Sequence, residues 1–411
     1  MTVANSVNRQ RPLRRNPNFV LLVGGQFISQ MGDRLAMVAF PWLVYTTTHS
    51  ALSTGVVLAM FTLPYVLLGV LAGAILDRID RRGVMVAADV IRGALVLAVP
   101  FVAERSTDAV FVLAFLVACA TVFFDPGLMT LLPDMVPAED LLRANSVLAV
   151  TTHITEIAGY ATAGFVVFYL ATRTTFTVDA ATFGVSAVTL LAMTLAEAPS
   201  QVGKPVDGAT ARDPALWVEI REGVTYLVRH VGLRANTVLT LAAAAGVGAS
   251  YPLTFLLAAN RFHGTRTFGL MEAAIAMGYL TGSVVLGVLG KQLPKGLAVT
   301  IGLMVMGVCY SLPWFLHALP LVLADFAVLG VANAAVLISI DTYVQSTVPA
   351  RLRGRVWGVR FTLTQGVYAV GVLVAGALAA AVALGPLFGL CGLVVFVPAL
   401  IGLFVPAVRD I

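Results

Sequence analysis

Apolar residues in this chain neither alternate nor keep to one face. They come in nearly unbroken runs of about 20 residues, parted by short polar stretches. A helix needs ~20 apolar residues to cross the hydrocarbon layer of a bilayer. Runs of that length lie near 19–46, 51–76, 84–103, 108–131, 144–170, 174–196, 234–258, 267–290, 296–316, 320–346, 360–380 and 384–406. The pattern predicts an all-α membrane protein with twelve transmembrane helices. Many of the runs carry Gly or other small residues at helical spacing, which lets backbones approach closely in lipid.

One connection is long, and it falls at the middle. Residues 197–233 separate six runs from six, so the chain divides into a basic tail 1–18, a six-helix bundle 19–196, a linker 197–233, a second bundle 234–406 and a short tail 407–411. Within the linker, Leu216, Trp217, Ile220, Val224, Leu227 and Val228 share one helical face and charges take the other. That pattern suits a helix lying in the cytoplasmic interface of the membrane, with a solvated linker helix as the alternative. The halves also echo each other. "MVPAEDLLRANSV" (135–147) and "TVPARLRGRVWGV" (347–359) align at an offset of 212, and each follows the fourth helix of its half. A duplicated six-helix unit with pseudo-symmetric bundles follows.

Composition fits this picture. The chain is 59% hydrophobic and 11% charged, with a mean hydropathy of +0.92, where a soluble domain has roughly 25% charged residues. The net charge of +5 arises from basic residues clustered between apolar runs, as topology determinants are, so nucleic acid is not the expected partner. Assigning residues 1–18 and every second connection to the cytoplasm, with Arg234 and Arg360 at the first positions of their runs counted on that side, puts 20 of the 26 Lys and Arg inside and 4 outside, with 2 inside helices. Both termini are therefore expected in the cytoplasm. The first run is too long and too polar at its centre for a cleaved signal segment. Cys119, Cys309 and Cys391 all lie in apolar runs and read as packing residues, with no disulfide framework or zinc spacing.

The connection after the second helix carries the most specific motif. "GAILDRIDRR" (73–82) has the form G-x-x-x-D-R-x-x-R-R and resembles the loop between helices 2 and 3 of the major facilitator superfamily, with Asp80 where that family has Gly. "GDRLAMVAFPWLVY" (32–45), "FFDPGLMTLLPDMVPAEDLLRAN" (123–145) and "VQSTVPARLRGRV" (344–356) resemble its drug:proton antiporter branch, which includes macrolide and tetracycline effluxers. The resemblance implies that Gly73, Asp77, Arg78, Arg81 and Arg82 form a cytoplasmic latch whose acceptor is the start of helix 11, near Gly358–Phe361. Asp77 can accept hydrogen bonds from the exposed N–H groups of a helix start, and the arginines can pair with cytoplasmic acids. The alternative is that the arginines only set topology. On the fifth helix, "GYATAG" (159–164) is similar to the antiporter motif G-P-x-x-G-G, with Tyr160 in place of proline and Ala163 in place of glycine.

Buried charges mark the candidate chemistry. An ionisable side chain at the bilayer centre costs at least ~2.5 kcal/mol, so each needs a partner, a wet cavity or a task. On the first helix Gln26, Gln30, Asp33 and Met37 recur at spacings of 4, 3 and 4 and share a face, with Arg34 about 100° further round. On the fifth, His153, Glu156 and Tyr160 share a face. The family resemblance places helices 1, 4, 7 and 10 around a central cavity. Asp33, Glu156 and Asp125 are then the candidates for proton coupling, with Arg34 and His153 as charge partners. Arg34 can pair with Glu156 or Asp125; Asp125, next to Pro126, can instead tune a helix distortion. A fixed ion-pair network that only orients helices is the competing reading. Asp89 and Arg92, at i and i+3, read as a local pair. Asp179, Glu272 and Asp325 read as acids near outer helix ends, where snorkelling or loop contacts suffice.

The second half has no mid-helix acid and offers neutral groups for binding. Substrate contacts are expected from Gln26, Gln30, Met37 and Tyr160 in the first half and from Asn236, Tyr251, Asn333, Gln365 and Tyr368 in the second. No nucleotide-binding loop, metal-ligand pattern or nucleophile and base pair is present, so neither an enzyme nor a cofactor is expected. The resulting expectation is a monomeric, proton-coupled exporter of small lipophilic molecules in the lipid of an inner (plasma) membrane. An exporter of one defined metabolite, siderophore or lysolipid is the nearest alternative, and a non-transporting membrane sensor the next.

Overall fold

The structure, a computed structural model, describes residues 13–76, 80–137, 140–194, 216–262, 264–289 and 294–409. Among these residues all regular structure is helical. The chain forms α1 (Pro17–Thr48), α2 (Ala51–Leu76), α3 (Arg81–Ala103), α4 (Thr107–Met135), α5 (Leu141–Tyr169) and α6 (Thr172–Ala192). The linker contributes α7 (Leu216–Arg229). There follow α8 (Val231–Arg261), α9 (Thr265–Leu289), α10 (Lys295–Ser311), α11 (Leu319–Thr347), α12 (Ala350–Ala379), α13 (Leu384–Leu403) and the single turn α14 (Pro406–Arg409). The twelve apolar runs thus correspond to α1–α6 and α8–α13.

Nine of the described helices are long and apolar enough to cross a membrane. The other three fall short for different reasons. α10 has 17 residues, whereas α1 and α5 are long but hold the polar side chains described below. Pro41, Pro64, Pro100, Pro252 and Pro398 sit inside helices without ending them, as neighbouring helices in a membrane permit. Large apolar side chains such as Leu67, Val112, Val188, Val288 and Phe404 point outward, the pattern of helices solvated by lipid.

Contacts divide the chain into two compact units, residues 1–39 with 67–210 and residues 40–66 with 211–411. In the first, α3 packs against α4 and α6, and Leu22, Met85, Phe124, Leu132 and Leu190 form part of its core. In the second, α10 packs against α11 and α13. These are the same helices counted six crossings later, so the packing order repeats as the sequence echo does. The segment 40–66 belongs to the second unit: Tyr45 Oη donates to Asn260 Oδ1 at 2.7 Å, and Leu58 and Ala59 meet Val372.

Small residues set the closest helix approach. A Cβ on Gly278 of α9 would stand 2.0 Å from the Ala327 carbonyl oxygen of α11, and one on Gly330 would stand 2.1 Å from that of Ile275. The two backbones meet with no side chain between them.

α7 is a helix, but its apolar face is divided. Leu227 is buried with Leu233, Tyr343, Val344, Val348, Leu352 and Val356, while Val224 and Val228 stay exposed. Glu222 forms an ion pair with Arg355 and lies 3.8 Å from Arg351, and Tyr226 Oη donates to the Thr347 carbonyl at 3.4 Å. The linker helix is therefore docked on the α11–α12 junction. The side chains of Leu216 and Trp217 lie outside the described residues.

Candidate functional site

The polar faces of α1 and α5 meet. Arg34 Nη2 lies 3.3 Å from Glu156 Oε1, and His153 Nδ1 lies 3.2 Å from Glu156 Oε2. One turn before Arg34, Gln30 Oε1 accepts from Thr155 Oγ1 at 2.8 Å. The Arg34 guanidinium also sits 5.3 Å from the Tyr160 ring centroid, a cation–π distance. Gly159 makes room for it, because a Cβ there would lie 2.8 Å from Arg34 Cγ. Of the two partners open to Arg34 in the sequence, the structure brings Glu156. α5 runs unbroken through Tyr160, in keeping with the missing proline. Gln26 is buried and Met37 half-buried on the same helix. Asp125 lies within α4, but its side chain is outside the described residues.

Asp33 turns the other way, toward α3. Its Oδ1 lies 3.7 Å from Arg92 Nη1, and Arg92 Nη2 also pairs with Asp89. The local Asp89–Arg92 pair is present, but it is one side of a larger cluster. Arg92 is 1% exposed, clamped between the Phe124 ring of α4 at 4.4 Å and the Phe183 ring of α6 at 4.5 Å. Asp179 corrects the sequence expectation outright. It is 0% exposed, because α6 begins seven residues earlier and its face here packs onto α1. A carboxyl group that deep cannot snorkel. The α6 sequence carried a signal for this: Thr175, Asp179, Thr182 and Ser186 recur at spacings of 4, 3 and 4, the same stripe that marked α1.

The second unit holds the remaining predicted side chains. Asn236 on α8 is fully buried, with neither amide atom hydrogen-bonded. Tyr251 and Tyr368 pack beside Leu58, Ala59 and Val372; Asn333 on α11 and Gln365 on α12 are half-buried. Sequence reasoning missed Arg360, which opens the apolar run 360–380 and counts there with the cytoplasmic basic residues. It stands ten residues into α12 and is 6% exposed, donating to Thr237 Oγ1 at 2.8 Å and Thr240 Oγ1 at 2.9 Å on α8. Because α12 starts at Ala350, Gly358–Phe361 lie well inside the helix, where backbone N–H groups are already bonded. The start of this helix is at Ala350, where Leu352 N–H donates to the Pro349 carbonyl at 2.9 Å.

Of the latch residues, Asp77 and Arg78 lie outside the described residues, and Gly73 is in the last turn of α2. Arg81 opens α3. Asp80 caps that helix, accepting from the N–H groups of Arg82 at 3.2 Å and Gly83 at 3.0 Å. Arg82 does not seek an acid. Its guanidinium donates to the carbonyls of Leu190 at 2.8 Å and Leu191 at 2.6 Å, satisfying the open end of α6.

Known proteins share this architecture. A family model described as Major Facilitator Superfamily matches residues 22–372. The Multidrug efflux pump Tap of Mycobacterium tuberculosis is 30% identical over 414 residues, covering 98% of this chain and 96% of its own length. Macrolide efflux protein A of Streptococcus pyogenes is 24% identical, covering 72% of each chain. The crystal structure of the nucleoside transporter NupG matches 94% of this chain and 98% of its own with a TM-score of 0.76. At 14% identity that likeness shows the fold alone.

Proposed function

The chain belongs to the major facilitator superfamily, and from that premise we propose that it exports lipophilic drugs across an inner (plasma) membrane in exchange for protons. It is a transporter and not an enzyme. The Tap and macrolide efflux relatives support drug export as the task. The observation that carries proton coupling is the charge set on α1 and α5. Arg34 is committed to Glu156, while the adjacent Asp33 keeps a third of its side chain exposed at 3.7 Å from Arg92. Acids in that position can exchange protons with a wet cavity and attract cationic substrates.

In the proposed cycle, substrate from the cytoplasm or inner leaflet displaces a proton from Asp33 or Glu156. The chain passes to its outward-facing state, and external protons reset the site. Gln26, Gln30, Met37 and Tyr160, with Asn236, Tyr251, Asn333, Gln365 and Tyr368, are the proposed substrate contacts. Both termini are cytoplasmic and the working unit is a monomer in this reading. Gly73, Asp77, Arg78, Arg81 and Arg82 form the proposed latch.

The test is reconstitution into liposomes with a panel of chemically unrelated drugs. An imposed pH gradient is expected to drive uptake of several of them, with matching proton flux, and Asp33→Asn to abolish the coupling. Transport of one compound only would leave the single-metabolite exporter. No substrate-dependent proton flux would end the antiport reading.

A further inference from the structure

Behind Asp33 lies a second, sealed group of charges. Asp179 of α6 has no solvent exposure, and neither of its carboxyl oxygens has a hydrogen-bond partner among the described residues. The nearby Thr182 hydroxyl donates instead to the Asp179 backbone carbonyl at 2.7 Å. α1 comes down on this acid through Gly32: a Cβ there would stand 2.6 Å from Asp179 Oδ1 and 2.0 Å from Thr182 Oγ1. The next residue is Asp33. The charges that act on Asp179 are Asp33 from α1 and Arg92 from α3.

The charges in this region do not balance. α1 contributes Asp33 and Arg34, α3 contributes Asp89 and Arg92, α5 contributes Glu156 and His153, and α6 contributes Asp179 beside Ser186. Among the described residues, four carboxylates therefore face two guanidiniums. Arg34 is held by Glu156, and Arg92 by Asp89 and Asp33, which leaves Asp179 with no guanidinium at ion-pair distance among the described residues. Ionised carboxylates crowded in a water-poor interior repel each other, and the set relieves that repulsion by keeping a proton. A metal ion would face the Arg92 guanidinium at the centre of the cluster, and the described residues contain no group of His, Cys, Asp and Glu placed to hold one.

We propose that Asp179 and Asp33 form a proton-sharing acid pair in which Asp179 is the sealed store, Asp33 is the mouth open to water, and Arg92 is the positioning residue between them. When substrate arrives, the proton held on Asp179 moves to an oxygen of the ionised Asp33 carboxylate and leaves from there to water. Arg92 Nη1 then swings from Asp33 toward the Asp179 carboxylate left behind. No bond other than O–H forms or breaks, and one proton is released to water per event. The inference rests on the proton-coupled reading and adds where the exchanged proton is kept.

The experiment uses purified full-length protein in weakly buffered detergent with ethidium, a lipophilic cation, as the probe. Wild type is expected to release protons on ethidium addition, and Asp179→Asn to bind ethidium while losing the release. Release from Asp179→Asn equal to wild type would overturn the acid pair and leave proton coupling intact. Absence of release from wild type would remove the coupled reading itself. Infrared difference spectra keep the proposal testable where Asp179→Asn does not fold. Wild type should show a protonated-carboxyl band that bleaches when ethidium binds, and in Asp33→Asn the band should persist without bleaching. No such band in wild type, or full bleaching in Asp33→Asn, would refute the store.

Discussion

Asp33 and Arg34 are neighbours in sequence, and the 100° turn between successive helical residues sends them to different helices. Arg34 reaches α5 and Asp33 reaches Arg92 on α3. The pair they seem to form on paper does not exist, and each side chain instead ties α1 to another element. The Arg34–Glu156 bridge is mostly buried, at 22% and 28% side-chain exposure. Removing one partner of such a pair strands the other, at a cost of ~3 kcal/mol. Arg34→Met and Glu156→Met should therefore each lower the thermal stability of the purified protein, while the double variant loses less than the sum. A strictly additive result would mean that the pair contributes no coupling. The α1 half of this network was legible because Gln26, Gln30, Asp33 and Met37 break an apolar run at helical spacing. The α6 half was equally periodic, but Asp179 lies near enough to the start of its run that hydropathy could not separate an outer-end acid from a buried one. Only the packing of Gly32 against Thr182 and Asp179 decides that.

At the scale of elements, helix existence was legible and helix starts were not. α12 begins ten residues before its apolar run, because Pro349 opens a helix through Arg351, Arg353 and Arg355 that hydropathy reads as a loop. The same shift carries Arg360 from the edge of its apolar run into the core. It also gives α7 its dock. Glu222 bridges Arg351 and Arg355 on the first turns of α12, and being over a third exposed it contributes about 1 kcal/mol or less. Glu222→Gln should leave the bundle folded but speed hydrogen exchange across residues 216–229; unchanged protection would show that Leu227 and Tyr226 alone hold the helix. The α9–α11 crossing is less forgiving. Gly330→Leu places a branched side chain against the Ile275 carbonyl and should destabilise the protein by ~3 kcal/mol in a detergent melt. A variant as stable as wild type would mean that the helices can slide apart there.

Across the whole molecule, the carboxylates that break helical runs are concentrated in the first unit, while the second buries a guanidinium, Arg360, among hydroxyls. The two halves share a packing order, α3 against α4 and α6 as α10 against α11 and α13, and differ in the charges they bury. The proposed orientation rests on the basic residues of the sequence, 20 of the 26 Lys and Arg falling to the side assigned to the cytoplasm and 4 to the other, a bias of the kind that sets topology. The three native cysteines are free and buried or half-buried, so they can be replaced by alanine to give a silent background. In intact cells, a membrane-impermeant thiol reagent is then expected to label Ser106→Cys, between α3 and α4, and His317→Cys, between α10 and α11. Pro294→Cys, between α9 and α10, should be labelled only after the cells are opened. Both native positions used for the outer set are exposed, as is Pro294, so a failure to label reports sidedness and not burial. The reverse pattern would invert the chain in the membrane and turn the proposed exporter's cytoplasmic latch and α7 dock to the outside, where neither could meet a substrate leaving the cell.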